Sequence, residues 1–381
     1  MSKQSKRQHA EPVLTRRQLN RALLARQMLL ERVSGVSVAE ALERLVGMQG
    51  QTPLSPYLAL WSRLEGFDPH ELAGMILERT AVRIGLMRTT IHLVTTRDAL
   101  ALRPVMADIS RRAFATSTPF GRKLAGIDLE ALLATGRELF EEGPRTATEL
   151  RRELGARWPE FDPDSLAQGC RYLLPLVQVP PRGVWGRTGQ AKHTTLEAWL
   201  GQPVSSDATP DATVLRYLAA FGPATVSDIR TWSWLTGLRE VVERLRPQLR
   251  TYRDEQGREL SDVADGIFAD PETPAPPRFL PDYDNLLLSH ADRSRVAPPM
   301  AIRVEQWIWG ALLVDGFGRG TWKVTQERAD ATLRIKVFGA LSPADEADVA
   351  AEGGRVIDFL APDATGRDIR IWAAEDEPQA S

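Results

Sequence analysis

Two stretches of this chain repeat one another. Gly143-Pro144-Arg145-Thr146-Ala147-Thr148-Glu149-Leu150 and Gly222-Pro223-Ala224-Thr225-Val226-Ser227-Asp228-Ile229 each set a Gly-Pro turn before a threonine with an acid three residues on. That spacing is a capping box. The threonine hydroxyl and the acid satisfy each other's free backbone N–H groups and start a helix. Each box follows one helix-spaced segment and precedes another, at 162–174 and 237–249. Each copy then ends in strand, turn and strand: 176–179, Pro180-Pro181-Arg182-Gly183 and Val184-Trp185 in the first, 249–253 and Asp254-Glu255-Gln256-Gly257 in the second. A recurring unit of this size buries little alone and is stabilised by its neighbours.

The N-terminal part follows the same plan. Thr15 with Gln18 and Ser37 with Glu40 are capping boxes. Ser55-Pro56 reads as an N-cap with proline at the first helical position, and Asp68 caps a fourth helix. Val82, Ile84 and Leu86, then Ile91 and Leu93 across Thr89-Thr90, alternate as a β-hairpin does. Helices followed by a hairpin make a winged helix, a DNA-docking module. The expected fold is therefore α+β: three tandem winged-helix units at 12–125, 126–205 and 206–270. After a proline-rich linker, 277–381 reads as a β-barrel-like domain with strands at 302–309, 311–314, 320–324, 333–338 and 369–372 and one helix at 344–351. Trp232 and Trp234 read as core.

Net charge is −2, but it is unevenly spread. Residues 1–125 carry 19 Lys and Arg against 10 Asp and Glu, and the remainder 29 against 40. A basic half suggests a polyanionic partner. One cysteine, Cys170, excludes an intramolecular disulfide framework. No apolar run is long enough to span a bilayer, and no secretory signal is evident, so a cytoplasmic protein is expected. The five histidines are scattered without HxxxH or HExxH, which predicts no metal. There is no GxxxxGK[ST] and no GxSxG. Gly316-Phe317-Gly318-Arg319-Gly320 lacks the strand-to-helix setting of a dinucleotide site.

The unusual loop is Gly47-Met48-Gln49-Gly50-Gln51-Thr52-Pro53. In extended backbone, residues i and i+2 project from one side, so both amides face one space. Amides are too weak to act as bases, but they orient water and stabilise developing charge. Chemistry alone leaves an alternative open, two solvated loop glutamines or amides capping helix ends.

Gln49-Gly50-Gln51 resembles the QxQ catalytic motif of the bacterial AlkZ-like winged-helix DNA glycosylases. Further matches follow in order: 14–27 before the loop, 55–64 after it, Met87-Arg88-Thr89-Thr90-Ile91-His92-Leu93-Val94, Pro180-Pro181-Arg182-Gly183-Val184-Trp185-Gly186, 221–224 and 280–293. The resemblance covers nearly the whole chain. It implies three winged helices and a β-barrel around a basic channel. It implies hydrolysis of the N-glycosidic bond of N7-alkylated guanine in double-stranded DNA, including bulky natural-product adducts, by Gln49 and Gln51 and without cofactor or strand cleavage. Gly50 departs from the bulkier apolar residue often found there, which predicts clearance for a large adduct.

Around this core the expected DNA contacts are Arg88, His92, Arg182 and Arg187. Asp284, Asn285, His290 and Arg293, with Asp292, are expected to form a polar network bracing the last domain. Three fused units remove the need for a dimer, so a monomer is expected. The competing readings are a non-catalytic winged-helix regulator and an adduct-binding protein without catalysis.

Overall fold

The computed structural model describes residues 11–297 and 309–373. It is an α+β protein, and the capping boxes found in the sequence start the helices they were expected to start. A short strand β1 (Val13–Leu14) leads into α1 (Arg16–Arg26), opened by the Thr15/Gln18 box, and Ser37/Glu40 opens α2 (Val38–Arg44). Strand β2 (Met48–Gln49) precedes α3 (Ser55–Trp61) and α4 (Pro69–Leu77). Ser55 is not the expected cap. It lies inside α3, where its hydroxyl is taken by Asp282. The hairpin β3 (Ala81–Gly85) and β4 (Ile91–Thr95) follows, then the long helix α5 (Thr96–Ser117).

The middle segment contains α6 (Pro119–Lys123), α7 (Leu129–Glu142), β5 (Arg145–Thr146), α8 (Ala147–Arg157), α9 (Pro163–Leu173), β6 (Leu176–Val179), β7 (Lys192–Thr195) and α10 (Leu196–Leu200). Here the sequence reading misplaces the return strand. β6 pairs with Lys192–Thr195, whereas Val184 and Trp185 sit in the connecting loop. That loop is anchored by Tyr57, whose hydroxyl donates to Gly183 O and accepts from Trp185 N. The third segment runs α11 (Asp211–Phe221), α12 (Val226–Ser233), α13 (Leu238–Leu245), β8 (Leu249–Asp254) and β9 (Glu259–Val263). Trp232 is core, packed on Tyr217 and Phe221. Trp234 is not: it ends α12 in left-handed backbone and is 45% exposed.

At the C-terminal end are β10 (Arg278–Leu280), α14 (Asn285–Leu288), β11 (Gly310–Val314), β12 (Phe317–Glu327), β13 (Asp330–Val337), α15 (Pro343–Leu360) and β14 (Gly366–Ala373). The strand expected at 302–309 lies almost wholly outside the described residues. The expected barrel is absent among the described residues. The five strands form an open sheet in sequence order with β10 and β14 at its edges, and β14 joins parallel to β13. Helix α15 buries Val349, Val356 and Ile357 against it, which covers a face without closing the sheet.

Two other sheets tie distant segments together. β1 lies beside β8 in a three-stranded sheet. A six-stranded sheet runs β2-β4-β3-β6-β7-β5, joining the N-terminal hairpin to the middle segment through Arg83↔Gln178 and Ile84↔Val177. The largest core cluster runs from Leu23 and Leu24 of α1 through Ile84, Met106 and Tyr217 to Leu286. It fixes the glutamine loop's surroundings from four segments at once.

Candidate active site

Gln49 closes β2 at the edge of the six-stranded sheet, opposite His92. Gly50 continues the ladder by donating its N–H to Ile91 O at 2.8 Å. The extended backbone turns the two amides toward the hairpin. Arg88 Nη2 donates to Gln49 Oε1 at 2.9 Å, and the Ile91 N–H donates to Gln51 Oε1 at 3.3 Å. Both partners are donors only, so chemistry fixes which end of each amide they meet. Each oxygen keeps a second lone pair and each NH2 remains to donate. Gln49 is buried and Gln51 exposed.

Arg88 and His92 stand apart from the role expected for them. Arg88 lies in a tight turn where both it and Thr89 adopt left-handed backbone. Its guanidinium turns inward, donating to Trp232 O and Gln49 Oε1 and lying 3.5 Å from His92 Nε2. All three are neutral, and burial pushes Arg88 down to about 10. His92 is 1% exposed. Burial, then the neighbouring Arg88, pushes its imidazole down to about 3, so it is neutral. The Arg88 guanidinium and the His92 ring both turn inward. Both back Gln49.

Gly50 also departs from expectation. A Cβ there would lie 3.1 Å from Arg83 Nη1 and close to Pro56 and Leu93 N. The missing side chain therefore clears room on the inner side, not beside the amides. Arg83, between the apolar Val82 and Ile84 of the hairpin, is 2% exposed. It donates to Gly50 O at 2.6 Å and to Gln178 Oε1 at 3.2 Å. A Cβ at Gly183, where φ is +89°, would strike its side chain. Arg83 thus threads between two glycine backbones, one from the glutamine loop and one from the 180–186 loop. Burial first, then Arg182 nearby, holds it down to about 10.

Asn285 clamps the loop from the C-terminal side. Its amide donates to Leu45 O and Gly47 O, and its Oδ1 accepts from Gln49 N at 3.4 Å. Asp284 caps α14 and makes a buried two-point ion pair with Arg63, at 2.8 and 2.9 Å. The network expected around 284–293 is therefore several separate sets. His290 bonds to Ser289 and is pushed down to about 3 by burial, with Arg295 lowering it further and Asp228 opposing. Asp292 pairs with Arg258. Arg293 lies in a short 3-10 turn beside them. Of these, Asn285 hydrogen-bonds the loop. Arg187 is exposed and Arg182 half-buried on the 180–191 loop, and Arg182 donates to Gly189 O at 3.4 Å.

Beyond Gln51 the surface drops into a cleft of about 200 Å³. Thr89 and Ile91 form one wall, and Arg103, Arg171 and His193 the others. No carboxylate lines it. Among the described residues no His, Cys, Asp and Glu group could hold a metal ion, and no helix is long and apolar enough to cross a membrane.

The model of the family "DNA glycosylase AlkZ-like" matches residues 42–359, which include the glutamine loop, the β3–β4 hairpin beside it and most of the C-terminal sheet. The chain belongs to the AlkZ-like DNA glycosylases. Its substrate is therefore DNA and its setting DNA repair. Among solved structures, the Streptomyces sahachiroi DNA glycosylase AlkZ superposes with a TM-score of 0.75, covering 94% of this chain and 100% of its own at 20% identity. That likeness shows a shared fold. No curated protein matches.

Proposed function

We propose that this DNA glycosylase hydrolyses the N-glycosidic bond of N7-alkylated guanine, bulky adducts included, and that Gln49 and Gln51 carry the reaction. The observation behind this is the pair of amides whose oxygens are each held by a fixed donor, on a loop clamped by Arg83 and Asn285. N7 alkylation leaves the base cationic and so a good leaving group. The C1′–N9 bond breaks with its electron pair going to the base, which departs neutral. A water oxygen then bonds to C1′ and its extra proton passes to solvent. Preorganised amides suffice to aim that water and to bear on the developing sugar cation.

The position of the amides supports tolerance of bulk. Gln51 is exposed at a rim, and the cleft beside it is lined by two arginines that repel a cationic base. A base that need not enter a pocket is free to carry a large substituent. The same geometry supports a monofunctional reaction, because a glycosylase that also cuts the strand uses an amine to form a Schiff base, and the amides offer none. The tandem winged-helix organisation at 12–125, 126–205 and 206–270, and a monomer, belong to this reading.

The test is single-turnover release of free base from duplexes carrying N7-methylguanine or a bulky intercalating N7-guanine adduct. Gln49→Ala and Gln51→Ala should each slow release roughly 100-fold, as loss of one preorganised hydrogen-bonding group does, while DNA affinity holds. The strand should stay intact until alkali is added, with EDTA present. Tight adduct binding without base release would return the adduct-binding reading.

A further inference from the structure

The cleft beyond Gln51 contains charge that the glutamine chemistry does not use. Arg103, on α5, is buried, and its Nη2 reaches the carbonyls of Leu173 and Leu174 at the end of α9. Arg171, on α9, touches Gln168 Oε1 through Nη1, while its Nε is buried with no hydrogen-bond partner. Burial pulls both below the usual range, Arg103 to about 10. The acid that faces Arg103 is Glu197, which is itself paired with Arg137 at 3.3 Å. Gln168, Tyr172 and Ser110 add polar groups to the lining.

Two largely desolvated guanidiniums with no carboxylate lining their cleft favour an anion there. The volume is below that of sites for drug-sized ligands, about 300–1,000 Å³, and suits a tetrahedral anion. A bare cationic cleft beside the reacting sugar would oppose the positive charge that develops on it. A phosphodiester seated there cancels one of the two charges and lessens that opposition. From the emptiness of the cleft of acids, the orphaned Arg171 Nε and the adjacency of Gln51, we infer that this cleft is a phosphate seat: it takes the backbone phosphodiester flanking the damaged nucleotide and so registers the sugar against the two amides. The inference rests on the proposed role of Gln51.

The measurement is equilibrium binding to duplexes containing a tetrahydrofuran abasic analogue, which needs no excision. One phosphate at a time is replaced by a methylphosphonate: immediately 5′, immediately 3′, or four nucleotides away. In the unaltered protein, one flanking replacement should weaken binding by about tenfold, and the remote one much less. Arg171→Gln should weaken binding to the normal duplex by a similar factor and reduce the slope of log K against log salt by about 0.9. Arg171→Lys should recover most of the slope. In Arg171→Gln the flanking replacement should then cost little more. Additive losses, an unchanged salt slope, or coupling to the remote phosphate instead of a flanking one would overturn the seat. If base release fails while this coupling holds, the glutamine reading falls and the phosphate seat stands. If base release proceeds normally without the coupling, the reverse is true.

Discussion

Replacing Arg88 by methionine isolates the contact that holds Gln49. The guanidinium donates to Gln49 Oε1 at 2.9 Å and to Trp232 O, and its partners are all neutral. Without it, Gln49 regains the rotamer freedom of a long side chain, worth about 1.5–2 kcal/mol. At 1.36 kcal/mol per decade, ordering it again in the transition state slows base release roughly 10- to 30-fold. Stability should move much less. Two hydrogen bonds from a charged donor are lost, at roughly 1.5–3 kcal/mol each, but a guanidinium buried without a carboxylate costs several kcal/mol to hold there, and methionine removes that cost. The assay pairs single-turnover release with urea denaturation and a salt titration of binding. The expected result is slow release, a midpoint near that of the unaltered protein, and an unchanged salt slope. Normal release with a slope flatter by about one would mean that Arg88 turns outward onto a phosphate, and the positioning argument would be wrong.

Three further outcomes follow from the same geometry. Asn285→Ala leaves the Leu45 and Gly47 carbonyls and the Gln49 N–H without their partner; it should lower unfolding free energy by about 2–4 kcal/mol and slow release on every substrate, so an unaltered urea midpoint would count against the clamp. Gly50→Leu collides with Arg83 and should slow release of N7-methylguanine and of a bulky adduct by the same factor; a loss confined to the bulky substrate would restore the clearance idea. His92, His193 and His290 are each pushed from an ordinary 6.5 down to about 3, burial being the first cause. Their depressed values make stability full above pH 6.5 and lost as pH falls toward 3. At pH 5 each should cost about 2 kcal/mol, and urea midpoints that stay flat from pH 7.5 to 5 would contradict the burial of these imidazoles.

Much of the architecture was legible because its signals are local. The Thr15, Ser37, Thr146 and Thr225 boxes each involve four consecutive residues and all appear in the structure. The hairpin at 81–95 was readable from alternation alone. What was not readable depends on partners far away in sequence. Val184-Trp185 looks like a return strand until Tyr57, more than 120 residues away, holds it as a loop. The C-terminal strands show their alternation but not whether the sheet closes, since closure is settled by edge pairing. At the site, the two glutamines were visible as a pattern, whereas Arg83 was not. An arginine between two apolar strand residues has the spacing of a solvent-facing position, and nothing local reveals two glycine backbones above it. Arg88 misled for a related reason: a basic residue in a turn is ordinarily exposed, and its inward rotation depends on a carbonyl from α12.

The pairing of β3 with β6 has a mechanical consequence. It makes the N-terminal strands β2, β3 and β4 and the middle segment's β5, β6 and β7 parts of one plate, with the glutamine loop bound along its rim. A plate of this kind does not open and shut like a pair of jaws, because widening the gap would mean tearing ladder hydrogen bonds. The compliance needed to bring a lesion to the rim then falls on the duplex, which must bend or unstack at the damaged step. Damage that softens or kinks DNA would on this account be found faster than damage that leaves it stiff, even where the leaving groups are chemically alike.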